Sequence, residues 1–373
     1  MIGIGNDTNI TLMLGSETVT AAYLGTELVY PNSPTPSYDT QYLTFEAVES
    51  GTFQFNASGI SYSLDDGSTW TSLAANTSTP TVATGNKIMW KGQMTPVQSY
   101  GIGQFTSTGQ YNVEGNPMSL IFGDNFVGED DLTGFDNAFY YLFGGTSVVS
   151  AQNLALPATT LSSLCYAEMF INCTSLTTPP SLPSTTLAQY CYQNMFKGCT
   201  ALVTAPTLAA MTMVLGCYSG MFYGCTALVT APSLPATTLA DNCYDAMFNG
   251  CSSLINPPGT LPATTLAAYC YQGMFKNCTS LTDSPDLPAT TLADWCYGDM
   301  FRNTGLTVSP ELPATTLAPY RYRQMFRDCT SLVNAPELPA TTLADYCYNS
   351  MFYSCTSLVN APSLPATTLI QAC

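Results

Sequence analysis

From about residue 143 onward the chain repeats one pattern of apolar and polar positions. The pair Met-Phe recurs at Met169, Met195, Met221, Met247, Met274, Met300, Met325 and Met351, at spacings of 26, 26, 26, 27, 26, 25 and 26 residues. Gly259 supplies the one-residue insertion. The missing residue falls near Gly305, where the usual Cys-Thr-Ser-Leu becomes Thr-Gly-Leu. A degenerate copy, YYLFGGTSVVSAQNLALPATTL, surrounds Phe143, and a fainter one surrounds residues 120–126. A fixed period of this length means stacked units, because no single unit can bury its apolar side alone.

Each unit divides into two halves. At about 100° per residue, Leu187, Cys191, Met195 and Cys199 share one arc with Ala188, Tyr192 and Phe196, while Gln189, Tyr190, Gln193, Asn194 and Lys197 face the other way. This pattern predicts an amphipathic helix of about three turns. Its start is marked by a capping pair, Thr342 followed three residues on by Asp345. The other half, such as TSLVNAPSLP, is short, apolar at intervals and bounded by prolines, and predicts a strand and a turn. The fold class expected is an α/β repeat solenoid of about eight clear units plus one or two degenerate ones, behind a small all-β region. The divisions drawn from the sequence are 1–35, 36–115 and 116–373.

The unit LPATTLADYCYNSMFYSCTSLVNAPSLPATTL resembles the BspA-like leucine-rich repeat, found in surface and adhesion proteins of gut and oral anaerobes. The resemblance covers residues 140–373. It implies binding by a curved surface rather than chemistry, although these units are longer than the commonest version of that family.

The N-terminal third reads differently. Residues 36–115 alternate in strand fashion, with YLTFEAV, GTFQFNA and GISYSL between turn residues, as in a β-sandwich. Ser63-Leu64-Asp65-Asp66-Gly67-Ser68-Thr69-Trp70 matches the Asp-box pattern and resembles the hairpins of sialidase propellers, which would imply a glycosidase. The box occurs once, whereas a propeller needs several blades, and Asp with Gly is what a self-stabilised hairpin turn requires. Residues 1–31 predict three short strands, NITLML, ETVTAAYLG and TELVYP, before the linker NSPTPS. The phrase GSETVTAAYLGTELVYP resembles a short module at the start of phage tail and baseplate proteins.

Composition narrows the function. The chain of 373 residues carries 8 basic and 25 acidic residues, a net charge of −17, and no histidine. Such a chain repels phosphate backbones and lacks the commonest general base and metal ligand, so neither a nucleic-acid partner, nor an enzyme, nor a cofactor is expected. MIGIGNDTNITLML has no basic, long-apolar signal sequence, and no segment has the length and apolarity of a membrane span. The expectation is a virion protein of the tail, baseplate or fibre type, assembled in a host cytoplasm in many copies among other virion proteins and binding a host-surface glycan or protein. The alternative is a bacterial surface adhesin.

Three constellations stand out. All fifteen cysteines lie in the repeats, mostly eight residues apart, as in Cys191 and Cys199. In a helix that spacing is ~12 Å, beyond disulfide reach. The expectation is a ladder of buried thiols. The alternative is cross-unit bonding, suggested by the joint loss of cysteine after Met300 and at Arg321. The acidic stretch Gly128-Glu129-Asp130-Asp131, with Asp124 and Asp136 nearby, lacks the ligand spacing of a calcium loop and predicts a solvated turn. Finally, Tyr269, Trp295, Tyr320 and Tyr346 occupy one position in four consecutive units, and Lys276, Arg302 and Arg327 another in three. Stacking would make them two rows suited to a glycan or an anionic protein surface. The alternative is that the rings pack on one another while the cations pair with Asp294, Asp299 and Asp328. At the C-terminus no polar cap is written, so the edge formed by Leu358, Leu364 and Leu369 is expected to be covered by another chain.

Overall fold

The computed structural model describes residues 13–14, 17–18, 22–24, 27–30, 38–96, 101–368 and 370–371. Contacts divide the chain into two compact units, Met1–Tyr38 and Asp39–Cys373. In the first, β1 (Met13–Leu14) pairs antiparallel with β2 (Glu17–Thr18), and β3 (Ala22–Leu24) with β4 (Glu27–Tyr30). The segment expected as a single strand from Glu17 contributes Glu17–Thr18 to one ribbon and Ala22–Leu24 to the other. The linker 32–37 lies outside the described residues.

The second unit begins with β5 (Leu43–Ala47), β6 (Phe53–Phe55), β7 (Ile60–Ser63), β8 (Thr71–Leu73), β9 (Lys87–Gly92), β10 (Phe105–Ser107) and β11 (Tyr111–Gly115). After the short α1 (Ser119–Phe122) comes β12 (Val148–Leu154). Six strands form one sheet in the order β12-β11-β5-β9-β7-β8, and β6 pairs with β10 apart from it. Strand alternation sends Ile88 and Trp90 of β9 inward while Lys87 stays outside. Phe45, Trp90, Phe105 and Tyr111 close the core, with Phe45 4.7–5.4 Å, centre to centre, from the other three rings. β12 belongs to the first degenerate repeat and pairs in parallel with β11. The sheet therefore runs across position 115, where the sequence pattern placed a border.

The Asp box forms the turn of the β7–β8 hairpin and consumes its own polar groups. Asp65 accepts hydrogen bonds from the backbone and hydroxyl of Thr69 (2.8 and 2.7 Å) and from Ser63. Those donors, with Thr69 the largest influence, hold its carboxyl below the usual range.

The repeats stack, but the expected amphipathic helix is absent. Residues 189–198 form consecutive tight turns. Backbone amides at 190, 192, 194, 196 and 198 donate forward to the next unit (Leu215, Cys217, Ser219, Met221 and Tyr223, at 2.7–3.1 Å). The amides between them donate three residues back within the unit, as Met195 does to Tyr192. Left-handed backbone recurs every fourth residue, at Tyr190, Asn194 and Gly198 here and at the matching positions of the other units. The segment is a ribbon of four-residue turns, hydrogen-bonded to its neighbours like a strand.

The correction has a simple cause. Burial follows a period of four: Cys191, Tyr192, Met195, Phe196 and Cys199 are buried, and the pairs between them are half-exposed. A period of 3.6 and one of 4 differ little over eleven residues, so the apolar arc passes for a helix face. Thr342 caps no helix; it bridges in parallel to Thr316. The other half of each unit likewise reduces to single parallel bridges, such as Thr230 to Asn256 and Asn334 to Asn360, rather than full strands.

Stacking builds columns. Tyr166, Tyr192, Tyr218, Tyr244, Tyr271, Tyr297, Tyr322 and Tyr348 lie ring on ring at 5.7–6.0 Å. The phenylalanines from Phe143 to Phe352 do the same at 5.2–5.8 Å. Each such ring, fully buried, contributes ~1.5–3 kcal/mol, which no isolated unit could collect. The column continues into the β region, where Phe105 stacks on Phe143 at 6.1 Å. There the amide of Phe105 donates to the carbonyl of Leu142, and the Gln104 side chain to that of Gly144. The β region thereby covers the N-terminal edge of the stack.

Candidate binding surface

In four consecutive units the first left-handed position carries the aromatic row. Tyr269, Trp295, Tyr320 and Tyr346 have φ of 57°, 56°, 64° and 59°. Bulky side chains seldom adopt this conformation, which costs ~1–3 kcal/mol per residue unless surroundings enforce it. Here the enforcement is mutual. The four half-buried rings stack at 6.3, 5.0 and 5.0 Å within 10° of parallel. Each inner ring has both faces covered by its neighbours, so the row presents ring edges to solvent.

The cation row is brought together beside acids. Lys276 and Arg302 both reach Asp299, at 3.6 and 3.3 Å, and Arg302 and Arg327 both reach Asp328, at 3.3 and 3.5 Å. Arg327 also lies over the Tyr353 ring, and Arg323 over Trp295 at 4.8 Å. Asp294 pairs instead with the buried Arg321, at 2.7 Å. The geometry thus holds both rows and the pairing with Asp299 and Asp328. Arg323, whose guanidinium covers the Trp295 ring, was not among the residues expected from the sequence. Its signal was an arginine on the same exposed arc.

The thiols form two columns. Fourteen described cysteines form no disulfide, and all but Cys355 are buried; Cys373 lies outside the described residues. In the second column each Sγ donates to the carbonyl of a phenylalanine one unit back, as Cys225 does to Phe196 at 3.1 Å and Cys278 to Phe248 at 3.0 Å. Thr304 replaces a thiol in this column and sits 3.3 Å from Cys329. Cys191 has Cys165 and Cys217 beside it in the first column, and Cys225 has Cys199 and Cys251 in the second. The positions lost at Thr304 and Arg321 thus belong to different columns. Burial pushes the thiols up, Cys165 and Cys173 to about 12, which suppresses the nucleophilic thiolate.

The acidic stretch is occupied by its own chain. Asp130 accepts from the Thr159 hydroxyl, Asp131 from the amide of Thr133 and Asp136 from that of Ser163. Asp124 takes hydrogen bonds from Lys91 and Tyr42, which lower its carboxyl, with Lys91 the larger influence. Among the described residues no three His, Cys, Asp or Glu side chains gather as a metal site, and no helix is long and apolar enough to cross a membrane.

At the far end, Leu358 is half-buried and Leu364 is 51% exposed, against 3% for Leu338 one unit earlier; Leu369 lies outside the described residues. No known protein family, curated protein or solved structure matches the chain.

Proposed function

We propose that the protein is a non-enzymatic binding and structural component of a bacteriophage virion, of the tail, baseplate or fibre type, whose repeats form a leucine-rich-repeat solenoid. The observation that carries this reading is the unit-to-unit ladder. Hydrogen bonds at every second residue and rings on rings make a stiff array that repeats the same surface at each step. Leu176, Leu202, Leu228, Leu254, Leu281, Leu306 and Leu332, all fully buried at one position, support the leucine-rich-repeat assignment. The turn ribbon stands where that family usually has a helical or extended segment.

Binding is supported over catalysis by what the reactive groups do. The thiols of the second column donate to carbonyls, burial pushes those of both columns up, and the carboxylates of the Asp box and of the acidic stretch at Asp130, Asp131 and Asp136 accept from nearby amides and hydroxyls. For the partner, the covered ring faces leave no inner ring on which a sugar could stack. Ring edges carry the positive rim of the aromatic quadrupole and sit beside arginines, which suits carboxylates and carbonyls of a host-surface protein. The repeat resemblance favours a second reading, a bacterial surface adhesin using the same flank.

The N-terminal unit separates the two. Removing residues 1–35 should leave a folded, soluble repeat stack that fails to enter phage particles. Normal incorporation of the truncated chain would discard the attachment role.

A further inference from the structure

On the flank opposite in sequence to the turn ribbon, the stack is open at one step. At other steps amides tie neighbouring coils together, as Ala151 does to Thr178, Ala231 to Asn256 and Ile255 to Val229. Pro179 stands where Ala151 and Ala231 carry the donating amide, so the carbonyl of Thr204 receives no such bond. Among the described residues, the backbone of residues 203–210 makes no hydrogen bond, and neither does that of residues 179–183. An open groove of about 520 Å³ lies between these two segments. Small-ligand clefts have volumes of ~300–1,000 Å³. Pro179, Pro180, Pro183 and Pro206 give the groove its apolar surface. Gln152, Thr178, Ser181, Thr204 and Thr207 add an amide and four hydroxyls. Of those hydroxyls only that of Thr178 has a partner among the described residues, Thr177 at 3.4 Å. No residue lining the groove is charged, on a chain of net charge −17.

This lining selects the occupant. A charged ligand would find no counter-ion in the groove to offset the loss of its water. A peptide strand added to either wall would need backbone amides at alternate residues, and the four prolines have none to give. What fits is a neutral molecule with hydroxyls around its rim and C–H faces that lie against proline rings. Its hydroxyls both donate and accept, so they can meet the unpaired amides and carbonyls of the walls as well as the side chains. We propose that the groove between residues 178–183 and 204–209 binds a neutral saccharide. It shares no residue with the aromatic and cationic rows, and the inference stands whatever those rows bind.

The test uses the full chain with maltose, cellobiose, lactose and mannobiose as neutral probes. Cellobiouronic acid serves as the charged probe, and an alternating threonine–alanine peptide as the extended-chain probe. At least one neutral disaccharide should bind saturably at 1:1 in calorimetry. It should slow hydrogen exchange at the amides of Thr204 and Thr207, which exchange fast in the free chain. Cellobiouronic acid should bind at least tenfold more weakly than the best neutral sugar. Ser181→Trp, at an exposed position that lets the variant fold, should fill the groove and weaken sugar binding at least tenfold. Failure of all four neutral sugars to bind, binding of the peptide in their place, or sugar binding that Ser181→Trp leaves undiminished would each overturn the proposal.

Discussion

The backbone amide of Phe196 donates to the carbonyl of Met221, one unit on, at 2.9 Å. In an α-helix it would have turned back four residues to Tyr192, whose carbonyl instead accepts from Met195 at 3.2 Å. That one change of partner turns a helix into a ribbon, and it reverses the expected sign of a glycine substitution. Gly224 has φ of +73°, and a Cβ there would meet nothing nearer than the backbone of Gly198 at 3.9 Å. In a helix Gly224→Ala would stabilise by ~1 kcal/mol. In the left-handed turn it should destabilise by ~1–2 kcal/mol, and Gly224→Asn by less. Urea unfolding of the two variants decides between the geometries by sign alone.

The ring columns give a second test. Phe248 is fully buried, with Phe222 and Phe275 each 5.6 Å away. Phe248→Ala should cost ~3–5 kcal/mol, since its stacked neighbours have little freedom to close the cavity. A loss below ~1 kcal/mol would mean the column is not packed as described.

How much of this was legible in the sequence depends on the range of the interaction. The repeat, its length and the inward residues Cys191, Tyr192, Met195 and Phe196 could be read directly, because burial leaves a composition pattern. The ribbon could not be read from periodicity alone, since four and 3.6 diverge too slowly. A signal was nonetheless present. The third left-handed column reads Gly145, Asn172, Gly198, Gly224, Gly250, Asn277, Asn303, Asp328 and Ser354, and all but the last are residue types that tolerate positive φ. Glycine and asparagine just after Met-Phe in unit after unit argue against a continuing helix. The exposed rows were legible as rows, but their partners were not. Which acid a given arginine meets depends on the neighbouring unit's register, as Arg321 with Asp294 shows.

Thiol chemistry should follow burial. In native protein without reductant, a disulfide-exchange reagent should react first with half-exposed Cys355 and only slowly with thirteen buried described thiols. Burial pushes even Cys355 up to about 11. After denaturation, nearly all fifteen cysteines of the chain should titrate as free; recovery of only one or two would mean that the columns are oxidised.

Asp245 gives stability an unusual pH dependence. Burial raises its carboxyl to about 6, so the folded state holds a proton that the unfolded chain releases near pH 4. The sign follows from linkage: this residue costs nothing below pH 4, and its penalty grows between pH 4 and about 6 and persists above. Asp245→Asn should therefore stabilise by up to ~3 kcal/mol at pH 7 and change little at pH 4. Equal effects at the two pH values would show that the carboxyl titrates normally.

The cation row can be tested by separating its internal role from its external one. Arg302 and Arg327 are about 29% and 28% exposed; Arg302 pairs with Asp299 and Asp328 and Arg327 with Asp328, and such pairs are worth only ~0–1 kcal/mol each. Reversing both to glutamate places four carboxylates together, a loss of ~1–3 kcal/mol that should shrink in 1 M salt as the screening length falls to ~3 Å. The stack retains its ring columns and should stay folded. Lys197, which occupies the same repeat position with its ammonium 5.1 Å from the Tyr223 ring, is the control, because reversal there changes charge outside the row. If the row contacts a host surface, Arg302→Glu with Arg327→Glu should reduce attachment to host cells at least tenfold more than Lys197→Glu. This comparison should be made at a temperature where circular dichroism shows both proteins folded. Equal losses would assign the row to holding units together, and attachment would then have to reside elsewhere on the stack.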